Sequence, residues 1–328
     1  MGADGLITEI CRQFTDLTVT ETESIYGGHI NDTFSVKTPA GLFVLQRLQP
    51  KMDPVKLLYN YELYSDVCEL YQFAYPKWLR CRNGGYFHTD EEGFRWRMYP
   101  YIEGEILEAP LSGEQLSSCG CGLAALHRML LDIPMEPKPV YPILHDLGAY
   151  YKRYLTILSE DHCEQSRDAA TEEQIRERIG QFLKDDEDPG PADDGKIFAK
   201  KGDIRVIHGD AKLSNILFRN GEVAGMLDWD TVMTGTASEE LADCIRSCCV
   251  NRGNFDREAA KRLADGYLSE MTDAEEIVSH LPRSFDKINF ELALRYYTDA
   301  ISKEKHFKER YPGYRLERVR ELLGVTWR

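Results

Sequence analysis

The sequence predicts an α+β chain of two lobes, strand-rich over residues 1–101 and mainly helical over 102–328. Three observations carry this. At 328 residues the chain is longer than a single hydrophobic core usually grows. Short apolar runs bounded by turn residues crowd the first hundred positions. From Ser112 onward apolar residues recur at helical spacing, and only the segment from Val206 to Leu227 returns to strand character.

In chain order, Leu6, Ile7, Ile10, Cys11 and Phe14 repeat with the period of a helix. Thr18-Val19-Thr20, Phe34-Ser35-Val36 and Leu42 to Leu48 read as strands, separated by Tyr26 to Asp32 and by the turn Pro39-Ala40-Gly41. Asp53-Pro54 is an N-cap followed by a first-turn proline, which opens a helix to about Leu70. Two or three strands follow around Asn83-Gly84-Gly85 and Asp90 to Gly93, the last running from Phe94 to Tyr101. Ser112 and Gln115 have capping-box spacing and start a helix to about Leu130. Further helices are expected over 144–160, 171–184, 238–251, 257–271, 285–302 and 314–323. The acidic run from Asp185 to Gly195 carries prolines and glycines and is expected to be a mobile surface loop.

Bulk properties exclude several classes. A formal charge of -15 argues against sequence-independent nucleic-acid binding, which rests on basic surface. No apolar run is long enough to span a bilayer, and the first residues lack the basic and apolar regions of a signal peptide. Nine cysteines show no repeated metal spacing and read as reduced, mostly structural thiols of a cytoplasmic protein.

The most informative stretch is Val206-Ile207-His208-Gly209-Asp210-Ala211-Lys212-Leu213-Ser214-Asn215, followed by Met226-Leu227-Asp228-Trp229-Asp230. Val206-Ile207 is a strand leading into a loop, and Ile216 to Phe218 with Val223 to Leu227 form a hairpin around Asn220-Gly221. This brings Asp210, Asn215 and Asp228 to one end. Phosphoryl transfer needs such a set: a carboxylate to orient and deprotonate an attacking hydroxyl, and two oxygen ligands for magnesium. Asp and Asn also shape turns, so either residue alone would have a structural explanation. The three in this order point to a kinase with nucleotide in the cleft between lobes.

With these residues in place, the chain resembles the aminoglycoside phosphotransferase and choline kinase group, and within it is most similar to the N-acetylhexosamine 1-kinases. The resemblance includes Gly27 to Phe34, Leu45-Gln46-Arg47, Gly104, Gly120 to His127, the loop at Asp210, Asp228 to Met233, Asp243 to Arg246 and Arg295 to Asp299. It implies a protein-kinase-like bilobal fold, ATP and Mg2+ as cofactors, and a small hydroxylated acceptor, with the anomeric hydroxyl of an N-acetylhexosamine as the specific expectation. Asp210 is then the catalytic base and Asn215 and Asp228 the metal ligands. Asp230, Lys212, Asp243, Arg246 and Arg295 are expected at the acceptor, although Asp243 and Arg246, three apart on a helix, would also form a local ion pair.

For the nucleotide, Gly28 and Asn31 lie in a loop whose backbone N–H groups could meet phosphates. Tyr99, Tyr101 and Ile102 fall in the segment where a hinge would bond adenine through its backbone. The fold usually places a cation on the third strand. Here Gln46 and Arg47 compete for the inward position, since neighbours on a strand face opposite ways. His127 and His208 are expected to brace structure, and Glu62 to be an exposed helical acid.

The chain departs from the hexosamine branch in reading His-Gly-Asp for His-Asn-Asp, in Trp229, and in Thr234 where proline is usual. Choline, an amino alcohol, an aminoglycoside or another sugar therefore stay open as acceptor, with Tyr150, Tyr151, Tyr296 and Tyr297 as aromatic faces for a cation. A non-catalytic nucleotide-binding protein is the reading from another class, and the intact acidic set speaks against it. Asp228-Trp229-Asp230 lacks the glycine of a protein kinase. Either a monomer or a homodimer is compatible with the sequence.

Overall fold

Asp53 does what its sequence position requires. Its carboxylate accepts from Val55 N at 2.9 Å, Pro54 fills the first turn, and the helix α2 (Pro54–Tyr71) follows. It packs beside an antiparallel sheet of β1 (Glu21–Ser24), β2 (Asp32–Thr38), β3 (Gly41–Arg47), β4 (His88–Thr89) and β5 (Arg95–Pro100), in the order β1-β2-β3-β5-β4. The short helix α1 (Ala3–Cys11) covers the outer face, burying Ile7, Ile10 and Cys11 against Val36, Leu45, Trp96 and Met98. The structure is a computed structural model and describes residues 3–25, 31–160, 167–186, 203–271 and 274–328. Gly28 and His29, and the acidic run from Glu187 onward, lie outside the described residues; Asp185 and Asp186 belong to the end of a helix.

The helical part begins at α3 (Gly113–Leu130), where Ser112 and Gln115 form the expected reciprocal cap. It continues with α4 (Leu147–Leu158), α5 (Ala169–Asp186), α6 (Ala237–Cys249), α7 (Arg257–Glu270), α8 (Ala274–Ile301) and α9 (Tyr314–Gly324). Two short ribbons sit among them: β6 (Ile204–Ile207) with β9 (Met233–Thr236), and β7 (Ile216–Arg219) with β8 (Glu222–Met226). A third pairs the two-residue strands β10 (Val250–Asn251) and β11 (Asn254–Phe255). One core runs from α2 through α3, α6 and α7 into α8, and a second fills the space between α4, α5, α8 and α9.

Three elements differ from expectation. The first strand is Glu21–Ser24 and not Thr18 to Thr20, because it is a polar edge strand with no apolar alternation to mark it. The strand β9 was hidden in Met233-Thr234-Gly235-Thr236, which lacks strand periodicity and pairs with β6. The helix α8 starts at Ala274 and holds Pro282 inside it. A proline removes one hydrogen bond there, and burial of Ile277, Leu281 and Phe285 offsets the loss.

The connector from the sheet to α3 is pinned to the helical part. Glu105 and Phe218 exchange backbone bonds of 2.8 and 2.9 Å. Gly104 lies so close to Leu217 and the Phe218 carbonyl that a Cβ would fall 2.7 Å from them. Among the described residues no helix is long and apolar enough to cross a membrane. Eight cysteines are free thiols, and Cys163 lies outside the described residues.

Candidate active site

The strand β6 delivers the chain into a loop held from behind by one carboxylate that no local motif singles out. Glu240, 3% exposed on α6, accepts from His208 N at 3.1 Å, from Gly209 N at 2.5 Å and from His127 Nε2 at 2.7 Å. Burial would raise its carboxyl, but the bonds and charge it receives outweigh this and hold it below its usual range. His127 closes the chain with Tyr267 Oη at 2.6 Å, and His208 Nε2 meets the Leu227 carbonyl at 3.0 Å. Both histidines brace structure, as expected. Gly209 takes φ +84°, and a Cβ there would lie 2.3 Å from the Thr231 carbonyl. That approach explains glycine at this position.

Asp210 therefore enters the cleft on a fixed backbone. Its carboxylate accepts from Asn215 Nδ2 at 2.9 Å and is paired with Lys212. Burial would lower the Lys212 ammonium, but Asp210 holds it above its usual range. Asn215 also bonds the Asp210 carbonyl, and its own carbonyl accepts from Leu227 N at 2.8 Å, which brings Asp228 beside the loop. The Asp228 carboxyl is pushed up to about 7 by burial, then by Asp230 and Asp210. The crowding of Asp228 by Asp210 and Asp230 suits a divalent cation, and Asp228 with the side-chain oxygen of Asn215 could hold one. Among the described residues there is no group of three or more His, Cys, Asp or Glu that could hold a metal ion.

Asp230 is placed differently from expectation. It does not line the cleft that holds Asp210. It is 4% exposed and takes a two-pronged bond from Arg97 on β5, at 2.6 and 2.7 Å, with Asn31 Nδ2 at 3.2 Å. Arg97 also donates to Gln46 Oε1 at 2.9 Å and lies over the Trp78 ring. Gln46 thus faces inward. Arg47 faces the outer side, bonded to Asp32 at 2.6 Å and lying over Phe94 and Trp96, so the expectation that Arg47 reaches phosphate is not supported by its position. Arg97 is the cation that sequence reasoning missed, and only its cross-strand position opposite Gln46 could have flagged it.

Asn31 spans the loop base, accepting from Gln49 N at 3.2 Å. At the connector, Tyr99 is buried in the core, Tyr101 is 43% exposed and bonds Leu42 through its backbone, and Ile102 is half-buried. Glu62 is exposed on α2, as expected.

Asp210, Lys212, Asp243, Arg246 and Arg295 all line one cleft of 1540 Å³. Asp243 and Arg246 form the local ion pair, at 2.8 Å. Of the family departures, Trp229 is stacked on Tyr64 at 4.6 Å in the core, and neither it nor Thr234 lines the cleft. Tyr141, which had no sequence signal, lines the cleft with a buried hydroxyl that has no hydrogen-bond partner among the described residues.

His145 is a second unexpected member. Its Nε2 meets the Gly209 carbonyl at 2.9 Å, and its Nδ1 is 3.6 Å from Glu291 on α8. Burial would lower its pKa, but Glu291 and more distantly Glu239 outweigh this and raise it from 6.5 to about 9. A raised cation stabilises the folded chain fully below pH 6.5, and the contribution fades as pH rises through about 9. The difference in melting temperature between the wild type and His145→Gln is expected to be largest near pH 6 and to shrink by pH 10. A difference independent of pH would refute the charge assignment.

A strand-rich lobe and a helical lobe, with Asp210, Asn215 and Asp228 converging at the cleft, define a kinase-like phosphoryl-transfer fold. The model of the phosphotransferase enzyme family (APH) matches residues 21–277. The chain belongs to that family: it is a small-molecule kinase that moves phosphate to a hydroxyl. Among solved structures it is similar to a microcompartment-associated aminopropanol kinase, with a TM-score of 0.73 and 13% identity over 98% of this chain and 94% of that one. It is similar to an amicoumacin kinase in complex with AMP-PNP, Ca2+ and Ami, with a TM-score of 0.71 and 10% identity over 98% and 93%. A spectinomycin phosphotransferase in complex with ADP and spectinomycin gives a TM-score of 0.62 and 16% identity over 97% and 93%. At these identities the likeness is one of fold.

Proposed function

We propose that this kinase uses ATP with Mg2+ to phosphorylate the anomeric hydroxyl of a neutral sugar of the N-acetylhexosamine type. The observation that carries the reading is the state of the cleft's charges and rings. Asp243 is paired with Arg246, Glu291 faces His145 and Arg295, Asp299 faces Arg315, and Glu321 is bonded to Arg318. Of the other lining acids apart from Asp210, Glu108 and Glu317 have no cation partner among the described residues, whereas the lining cations Arg153, Arg252 and Arg310 have no carboxylate partner there. On a chain of net charge -15 this is a poor wall for a polycation.

Of the four aromatic faces expected for a cationic acceptor, Tyr151 does not line the cleft and the other three are taken. Arg295 lies over Tyr150 at 4.9 Å, Tyr296 is stacked on Phe307 at 4.0 Å, and Tyr297 is buried and bonded to Glu172. A hydroxyl-rich neutral acceptor suits such a site better than a quaternary or polyamine ligand.

In this reading Asp210 orients the acceptor hydroxyl and takes its proton. When bound, the metal supplies charge neutralisation at the transferring phosphoryl group. Lys212 holds Asp210 in place, and Asn215 fixes the loop to the Asp228 turn. The test is a ³¹P NMR assay of ATP and Mg2+ with N-acetylglucosamine, N-acetylgalactosamine, choline, 1-amino-2-propanol and kanamycin. An anomeric phosphate on an N-acetylhexosamine is the expected product. Phosphorylation of the cationic acceptors alone would overturn the reading.

A further inference from the structure

Three buried polar atoms at the cleft wall lack hydrogen-bond partners among the described residues: the Tyr141 hydroxyl and one atom each on Glu291 and His145. Glu291 is 2% exposed on α8, and its Oε2 accepts no hydrogen bond. His145 Nδ1, on the segment before α4, also has none. Glu291 Oε1 lies 3.6 Å from His145 Nδ1 and 3.6 Å from an Arg295 guanidinium nitrogen. These are ionic neighbours, too long for good hydrogen bonds, whose N···O distance is about 2.7–3.2 Å. All three residues line the cleft that holds Asp210.

Folded proteins leave few buried polar atoms unpaired, and each one deserves an explanation. Packing does not supply one here. His145 is fixed by the Gly209 carbonyl, and Arg295 by the Tyr150 face and Glu291. The carboxylate and the imidazole are therefore held rigidly, with one acceptor atom and one donor atom to spare. They sit one residue's reach from the loop that presents the catalytic carboxylate, since His145 bonds the carbonyl that precedes Asp210.

We infer that Glu291, His145 and Arg295 form the acceptor-recognition site, and that it reads hydroxyl groups on the ring of a neutral sugar. A hydroxyl both donates and accepts, so one group, or two on adjacent carbons, satisfies Glu291 Oε2 and His145 Nδ1–H together. A tertiary or quaternary amine could only be repelled by the His145 and Arg295 charges or compete with them for Glu291. The inference rests on the reading of a neutral sugar acceptor and assigns its specificity to residues outside the phosphoryl-transfer set.

The experiment pairs Glu291→Gln with monodeoxy analogues of N-acetylglucosamine, each lacking one ring hydroxyl. Glu291→Gln keeps shape and removes the charged acceptor. Its KM for N-acetylglucosamine is expected to rise roughly ten- to hundredfold, the usual consequence of breaking a buried hydrogen bond to a charged group. The KM for ATP should stay within twofold. One monodeoxy analogue should be a poor substrate of the wild type yet suffer no further loss in the variant, because both changes delete the same bond.

Calorimetric ATP binding by Glu291→Gln checks that the variant is folded, and Arg295→Ala provides a second route if it is not, with the same expected rise in acceptor KM. An acceptor KM unchanged in both variants, or analogue losses that simply add in every case, would overturn the inference while leaving the sugar-kinase reading intact. Failure of the wild type to phosphorylate any N-acetylhexosamine would strike the reading itself, in the assay that precedes these variants.

Discussion

Replacing Asp210 by asparagine is expected to lower turnover by roughly 10²–10⁴-fold, the usual cost of losing a positioned general base. The substitution keeps the side chain's size and one acceptor oxygen. The loop is fixed by other groups: Glu240 on the His208 and Gly209 N–H groups, and Thr231 Oγ1 on the His208 carbonyl at 2.8 Å. Thermal stability and nucleotide affinity should therefore change little. The structural partners disturbed are Lys212 and Asn215, whose donors share one oxygen of the Asp210 carboxylate. Steady-state kinetics with saturating ATP and the preferred acceptor would measure the effect. Retention of most activity would remove Asp210 from proton transfer and leave it a loop-shaping residue.

The difference between what could and could not be read from the sequence follows contact distance along the chain. Asp53, Ser112 and Gln115 were legible because a cap bonds its own first turn. Asp210, Asn215 and Asp228 were legible because loop and hairpin place them together within one continuous segment. Glu240 holds that loop from 31 residues away, His145 from 64, and Arg97 meets Asp230 across 133. No periodicity or local motif encodes such pairings. They arise only when the sheet is laid against the helical part. The same limit explains Asp230 and Arg47. Asp230 stands two residues from Asp228 in sequence, yet a partner on β5 draws it into the lobe contact. For Arg47, strand alternation allowed two faces, and the choice is made by Leu45 and Trp96, which take the outer side with it. The cleft wall around Asp210 lies further out of reach, because it draws on α4, α6, α8, α9 and the loops between them.

The lobe contact itself provides the second large effect. Arg97→Met is expected to destabilise the protein by about 3–5 kcal/mol, the cost of leaving one member of a buried ion pair without its partner. Arg97 and Asp230 are 3% and 4% exposed, so water cannot replace the lost bonds. For a chain of 328 residues, that corresponds to a fall in melting temperature of roughly 4–7 °C. Activity should fall as well, for a reason in the backbone. Asp228 adopts φ +60°, ψ +57°, a left-handed conformation that costs a non-glycine residue about 1–2 kcal/mol. Such strain persists only where the surroundings hold it. Here the Trp229 stack on Tyr64 holds one side of the turn, and the Arg97 fork on Asp230 holds the other. Releasing the fork should let Asp228 relax away from Asn215 and Asp210. The double variant Arg97→Met with Asp230→Leu removes both charges and should recover much of the stability, since neither partner is then buried alone. It should not recover activity, because the turn has lost its strut. Thermal unfolding of the two variants beside their turnover separates the effects. Full activity in the double variant would show that the turn at Asp228 is held by packing alone.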